Sequence, residues 1–142
     1  MAYATQQNCI DRYGTDIVTV ATDHDGNGVI DNSVLQRALD DATATINSYV
    51  AGLPGFPFEV TPDSFEKLCC EMALYNASFT ANTVTEEQRT RYDDALKYLT
   101  LVAQQKIRLS TGAGQNIVES NATANIISSE RIFTRTSLGR LF

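Results

Sequence analysis

The chain has 142 residues, 43% hydrophobic and 20% charged, which suits a single globular domain and excludes a mostly disordered polymer. Its net charge of −6 is uneven: residues 1–106 carry seven Lys and Arg against fifteen Asp and Glu, whereas residues 107–142 carry four Arg against two Glu. Such an acidic body argues against a nucleic-acid reader, and no apolar run approaches the roughly 20 residues that would span a bilayer.

The start, Met1 to Gln7, lacks the basic and apolar regions of a signal peptide. Three cysteines, Cys9, Cys69 and Cys70, show no metal-ligand spacing and read as reduced thiols of a cytosolic chain. Thr5 to Tyr13 then reads as a short helix, with Thr5 as its cap and Gly14 as its stop. The β-branched stretch from Asp16 to Ala21 is short enough for extended chain or a helical turn, and the helix is favoured.

The sharpest local motif follows. Asp23-His24-Asp25-Gly26-Asn27-Gly28-Val29-Ile30-Asp31 matches the first nine positions of an EF-hand calcium loop. Asp23, Asp25, Asn27, Asp31 and the Val29 carbonyl would supply the oxygens, and Gly26 the sharp turn. Position twelve is Val34 where a bidentate Glu belongs, so the expected metal is at most a weakly bound calcium or magnesium ion. A helix-capping turn competes with that reading, with Asp31 or Asn32 as the cap.

From Ser33 a second helix carries Leu35, Ala38, Leu39, Ala42, Ile46, Tyr49, Val50 and Leu53 at three- and four-residue steps, and the run Gly52 to Pro57 ends it. Thr61-Pro62-Asp63 predicts a third helix capped by Thr61, with Phe65, Leu68, Cys69, Met72, Ala73 and Phe79 as its buried stripe. Thr85 and Gln88 form a capping box for a fourth, which runs through Leu99 and Val102 towards Lys106 and Arg108. Tyr98 and Leu101 fall off its main stripe and predict a second buried face, against a neighbouring subunit.

After Leu109 the chain turns rich in Gly, Ser, Thr and Asn. Apolar islands interrupt it at Ile117-Val118, Ile126-Ile127, Ile132-Phe133 and Leu138 to Phe142. The expected organisation is an all-α domain of about four helices over residues 1–109 and an extended docking arm over 110–142, with short β segments allowed in the arm. Ile126, Ile127, Arg131, Ile132, Phe133, Arg135, Leu138, Leu141 and Phe142 are its expected partner contacts, with an arm packed back on its own domain as the alternative.

No catalytic constellation emerges. His24 is the lone histidine and sits in the acidic loop, and Gly112 and Gly114 lack the Lys-Ser/Thr of a phosphate loop. The expectation is therefore a non-enzyme, with a calcium-binding regulatory module built on residues 23–31 as the alternative.

Several segments together resemble the small neck proteins of Mu-like tailed bacteriophages. They are Met1-Ala2-Tyr3-Ala4-Thr5-Gln6-Gln7 leading to Ile10-Asp11-Arg12-Tyr13-Gly14, Thr22 to Asp31 followed by Leu39-Asp40-Asp41-Ala42, Arg91 to Leu99, and Ser129 to Arg135 with Leu138 and Phe142. The stretch from Gly55 to Pro62 and Cys69-Cys70 depart from the pattern. The resemblance implies a head–tail connector in the virion neck, assembled in the host cytoplasm. It implies a homo-oligomeric ring of about twelve copies. It also implies portal and tail-completion or tail-terminator proteins as partners, DNA passing through the channel unread, and no membrane.

Overall fold

The structure is a computed structural model that describes residues 2–110; Met1 and residues 111–142, and with them all of the arm but Ser110, lie outside the described residues. Five α-helices occur in the order α1 (Gln6–Tyr13), α2 (Thr15–Thr22), α3 (Asn32–Val50), α4 (Asp63–Ala81) and α5 (Glu86–Ala103), with no strand among the described residues. The fold is thus the expected all-α bundle. The stretch after Gly14 forms α2, a helix of its own.

Local chemistry explains most of the boundaries. Thr5 caps α1 in a reciprocal box with Asn8, and Gly14, at φ +85°, closes it with its N–H on the Ile10 carbonyl. Thr85 and Gln88 form the expected box on α5. Helix α4 differs from expectation: Pro62 stands at the cap and Thr61 bonds nothing there, because Pro62 is extended at ψ 137°. The Asp63 N–H donates instead to the carbonyl of Ser110, at 3.4 Å. The beginning of α4 is therefore finished by the far end of the described chain.

Helix α4 is the centre of the bundle. It packs most extensively on α3, then on α5 and α2, and touches α1. Leu35, Leu39, Ile46 and Val50 of α3 meet Phe65, Cys69, Met72 and Ala73 of α4 in a core that also takes in Val18, Leu99, Val102 and Leu109. The link after α3 closes one end: its helix stops at Val50, and Leu53 folds back into the core through a turn bonded to the Val50 carbonyl. Phe58 and Tyr3 pack on Phe65, the latter edge to face at 5.1 Å.

Phe79, expected in the buried stripe, is 66% exposed. The last inward positions of α4 are Ala77 and Ser78, so Phe79 turns outwards and leans on Tyr75, which stacks on Tyr92 of α5 at 4.2 Å.

Candidate functional sites

The acidic loop joins α2 to α3, and its oxygens are turned onto its own backbone. The Asp23 carboxylate accepts the N–H groups of Asn27 at 3.0 Å and Gly28 at 2.8 Å, and the Asn27 side-chain oxygen accepts that of Val29 at 2.8 Å. Asp31 caps α3, accepting from the Ser33 N–H and hydroxyl, both at 2.8 Å, and from the Val34 N–H. These donors hold both carboxyls below their ordinary range, Gly28 chiefly for Asp23 and the Ser33 hydroxyl chiefly for Asp31. Gly26 and Gly28 both take positive φ, which the turn requires. Asp23, Asp25, Asn27, Val29 and Asp31 thus share one loop, with half-buried Val34 following it. Among the described residues no three His, Cys, Asp or Glu side chains gather into a cluster that could hold a metal ion.

His24 is exposed, and its Nε2 lies 3.4 Å from the Ala77 carbonyl, pinning the loop to α4. The three thiols are buried. Burial pushes Cys69 up to about 11, and its Sγ sits 3.6 Å from the Thr43 hydroxyl. Cys70 is raised too, first by its hydrogen bond with Cys9 and then by burial. Cys69 and Cys70 are thereby held neutral at physiological pH, unsuited to nucleophilic attack.

The bundle's open feature is a groove. Its wider part, about 360 Å³, lies between α2, α4 and the start of α5 and includes Ile17, Val20 and Leu74. Ile17 and Val20 are 50% and 63% exposed. A second part, about 310 Å³, continues between α4 and α5 past Ser64, Leu68 and Tyr98. Glu71 and Arg91 belong to both.

Glu71 forms the polar floor where the two parts meet. Its side chain is only 8% exposed, with Lys67 at 3.8 Å and Arg91 at 3.9 Å. Arg91 also pairs with Glu87 one turn earlier and lies 5.8 Å from the centre of the Tyr13 ring. Burial, then the charge of Glu71, raises the Tyr13 hydroxyl far above its ordinary range. Asp16 and Glu87 add negative charge to the rim.

Sequence reasoning missed this groove because α1, α2, α4 and α5 each contribute to it. Two signals were present: Ile17 and Val20 one turn apart on a short helix, and Glu71 set among Cys70, Met72 and Ala73. Of the expected partner contacts, Tyr98 is half-buried and donates its hydroxyl to the Ser64 hydroxyl oxygen at 3.2 Å, while Leu101 is 38% exposed. Ile126, Ile127, Arg131, Ile132, Phe133, Arg135, Leu138, Leu141 and Phe142 lie outside the described residues.

These features define a small all-α protein with an acidic surface and an open apolar groove. The sequence model of the family described as Bacteriophage Mu, Gp36 matches residues 3–128, and the chain belongs to that family. It is 29% identical over 135 residues to the Mu-like prophage FluMu protein gp36 of Haemophilus influenzae, covering 95% of this chain and 94% of that protein. It is 31% identical over 109 residues to Gene product J of Escherichia phage Mu, covering 75% and 74%. The chain is a bacteriophage protein of the Mu-like group.

Proposed function

We propose that the chain is a head–tail connector subunit, forming a ring below the portal in the virion neck and linking the DNA-filled head to the tail. The observation that carries this reading is a pair of unlike apolar features on different flanks of α4. One is the groove beside Leu74 with exposed Ile17 and Val20; the other is the protruding Phe79. Five residues separate Leu74 from Phe79, which places them about 140° apart around the helix. Unlike surfaces on one subunit suit a heterologous contact, and such a contact repeats into a ring when its rotation closes. Membership of a Mu phage family supplies the setting.

In this reading the arm's apolar islands seat on the portal or a tail-completion protein. The acidic body repels passing DNA and reads no sequence. The protein needs no resident cofactor and catalyses nothing. The test mixes purified protein with portal-bearing, DNA-filled heads and images the necks. A ring of added density that disappears with Phe79→Asp supports the reading. Protein that stays free and monomeric while the heads remain open overturns it.

A further inference from the structure

We propose that Phe79 of one copy of the chain seats in the apolar groove of the next, between α2, α4 and α5, with Arg89 of the first copy facing Asp16 of the second. The inference rests on the proposed ring and deepens it, by naming the contact that repeats around it.

The groove is left open by its own chain: Ile17 and Val20 stand exposed beside Leu74 in a space of about 360 Å³. A space of that size accepts an aromatic side chain, and aromatic rings seated in pockets are the common anchors of protein contacts. Phe79 is the one exposed aromatic residue among the described residues, at 66%. Its ring leans on Tyr75, which stacks on Tyr92, so the anchor is held in place before it binds and loses less freedom on binding. Phe79 stands about 140° around α4 from Leu74 and cannot turn into the groove of its own chain.

Charge favours a second copy as the occupant. Glu71 and Glu87 are already faced by Lys67 and Arg91 within the chain. Asp16, on the α2 wall of the groove, is exposed and takes no ion pair or side-chain hydrogen bond among the described residues. Arg89 is its counterpart beside Phe79. The bond from Gln88 to Ser78 and the stack of Tyr92 on Tyr75 set α5 antiparallel to α4, which puts Arg89 level with Phe79 on the same flank. Arg89 too is exposed and without an ion pair among the described residues, although Glu86 and Asp93 share its helix. Each surface thus carries one apolar feature and one unpaired charge, and the charges are opposite. The two surfaces match each other and neither matches itself, so the contact runs head to tail and leaves every copy a free surface for the next.

Sedimentation equilibrium on the full chain, up to about 1 mM, tests it, because a contact built on one anchor is weak by itself. The expected result is association that rises with concentration and weakens about thirtyfold in Val20→Asp and, separately, in Phe79→Asp. An equimolar mixture of these two variants retains one intact contact and should give a one-to-one pair that grows no further. Asp16→Arg and Arg89→Asp should each weaken association about fivefold, and the double variant should recover it. Unsubstituted chain that stays monomeric throughout overturns the proposal. So does a mixture of the two apolar variants that does not pair, or a double charge variant that shows no recovery. Should Val20→Asp unfold the bundle, as circular dichroism would report, the charge variants carry the test, since both positions are exposed. Neck density on the heads without pairing of the mixture removes the seating and leaves the connector reading; pairing without neck density does the reverse.

Discussion

The two flanks of α4 are buried to different degrees. Towards α3, Cys69, Met72 and Ala73 are fully buried against the helix that carries Leu35, Leu39 and Ile46. Towards α2 and α5, Glu71 and Leu74 face a groove with exposed aliphatic side chains on its wall and a carboxylate at its floor. One helix thus holds the fold together on one side and presents a surface on the other. Burial supplies the stability of the first flank, and incomplete burial leaves the second available.

That division predicts unequal costs for comparable substitutions. Leu39→Ala, at a position with no exposure, should destabilise by about 3 kcal/mol in urea unfolding, since lost burial and a residual cavity add. Val20→Ser on the open flank should stay within about 0.5 kcal/mol. Equal costs would mean that the groove is part of the core, and the contrast would collapse.

The closed flank also carries a pH signature. Burial raises the Cys69 thiol from its ordinary 9.0 to about 11 in the folded chain. The unfolded chain ionises first as pH rises, so this stability is fully present below pH 9.0 and is lost as pH rises towards 11. About 2–3 kcal/mol should disappear across that window, and Cys69→Ala should flatten the decline. An unchanged slope in the variant would show that the α3–α4 seam admits water.

The closed flank was largely legible in the sequence and the open flank was not. Leu35, Leu39 and Ile46 recur at helical spacing, so their burial follows from period alone. Caps at Thr5, Asp31 and Thr85 are local chemistry and were readable for the same reason. The cap of α4 lies one residue beyond the expected Thr61, and the acceptor for its first N–H, the Ser110 carbonyl, is 47 residues away from Asp63. Phe79 was misplaced because period cannot say where α4 outruns its neighbours. The groove escaped altogether: Tyr13, Glu71 and Arg91 meet only once three helices are packed.

The rim of the groove offers a smaller effect. Thr85 and Gln88 satisfy each other's backbone donors, and the Gln88 amide also reaches the Ser78 hydroxyl at 3.0 Å, tying the start of α5 to α4. Thr85→Ala should cost about 1 kcal/mol by urea unfolding. Because Thr85 and Gln88 line the groove, hydrogen exchange at Glu86 to Arg89 should rise with it while the α3 amides stay unchanged. Faster exchange along α3 as well would show that the two flanks unfold as one unit.

The smallest expected effect belongs to the loop between α2 and α3, whose carboxylates accept N–H groups of its own backbone and of the first turn of α3. Asp23 and Asp31 are held below their ordinary value near 3.8 by donors within the loop and the first turn of α3. Their contribution is therefore present above about pH 4 and fades as pH falls through the lowered values, because the unfolded chain takes up protons first. With those carboxylates engaged by backbone N–H groups and Val34 in place of a bidentate Glu, millimolar calcium at pH 7 should move the melting temperature by no more than about 1 °C. A rise of several degrees that disappears in Asp23→Asn would reverse the assignment. The loop would then be a calcium-linked device beside α3, and the closed flank would carry function as well as stability.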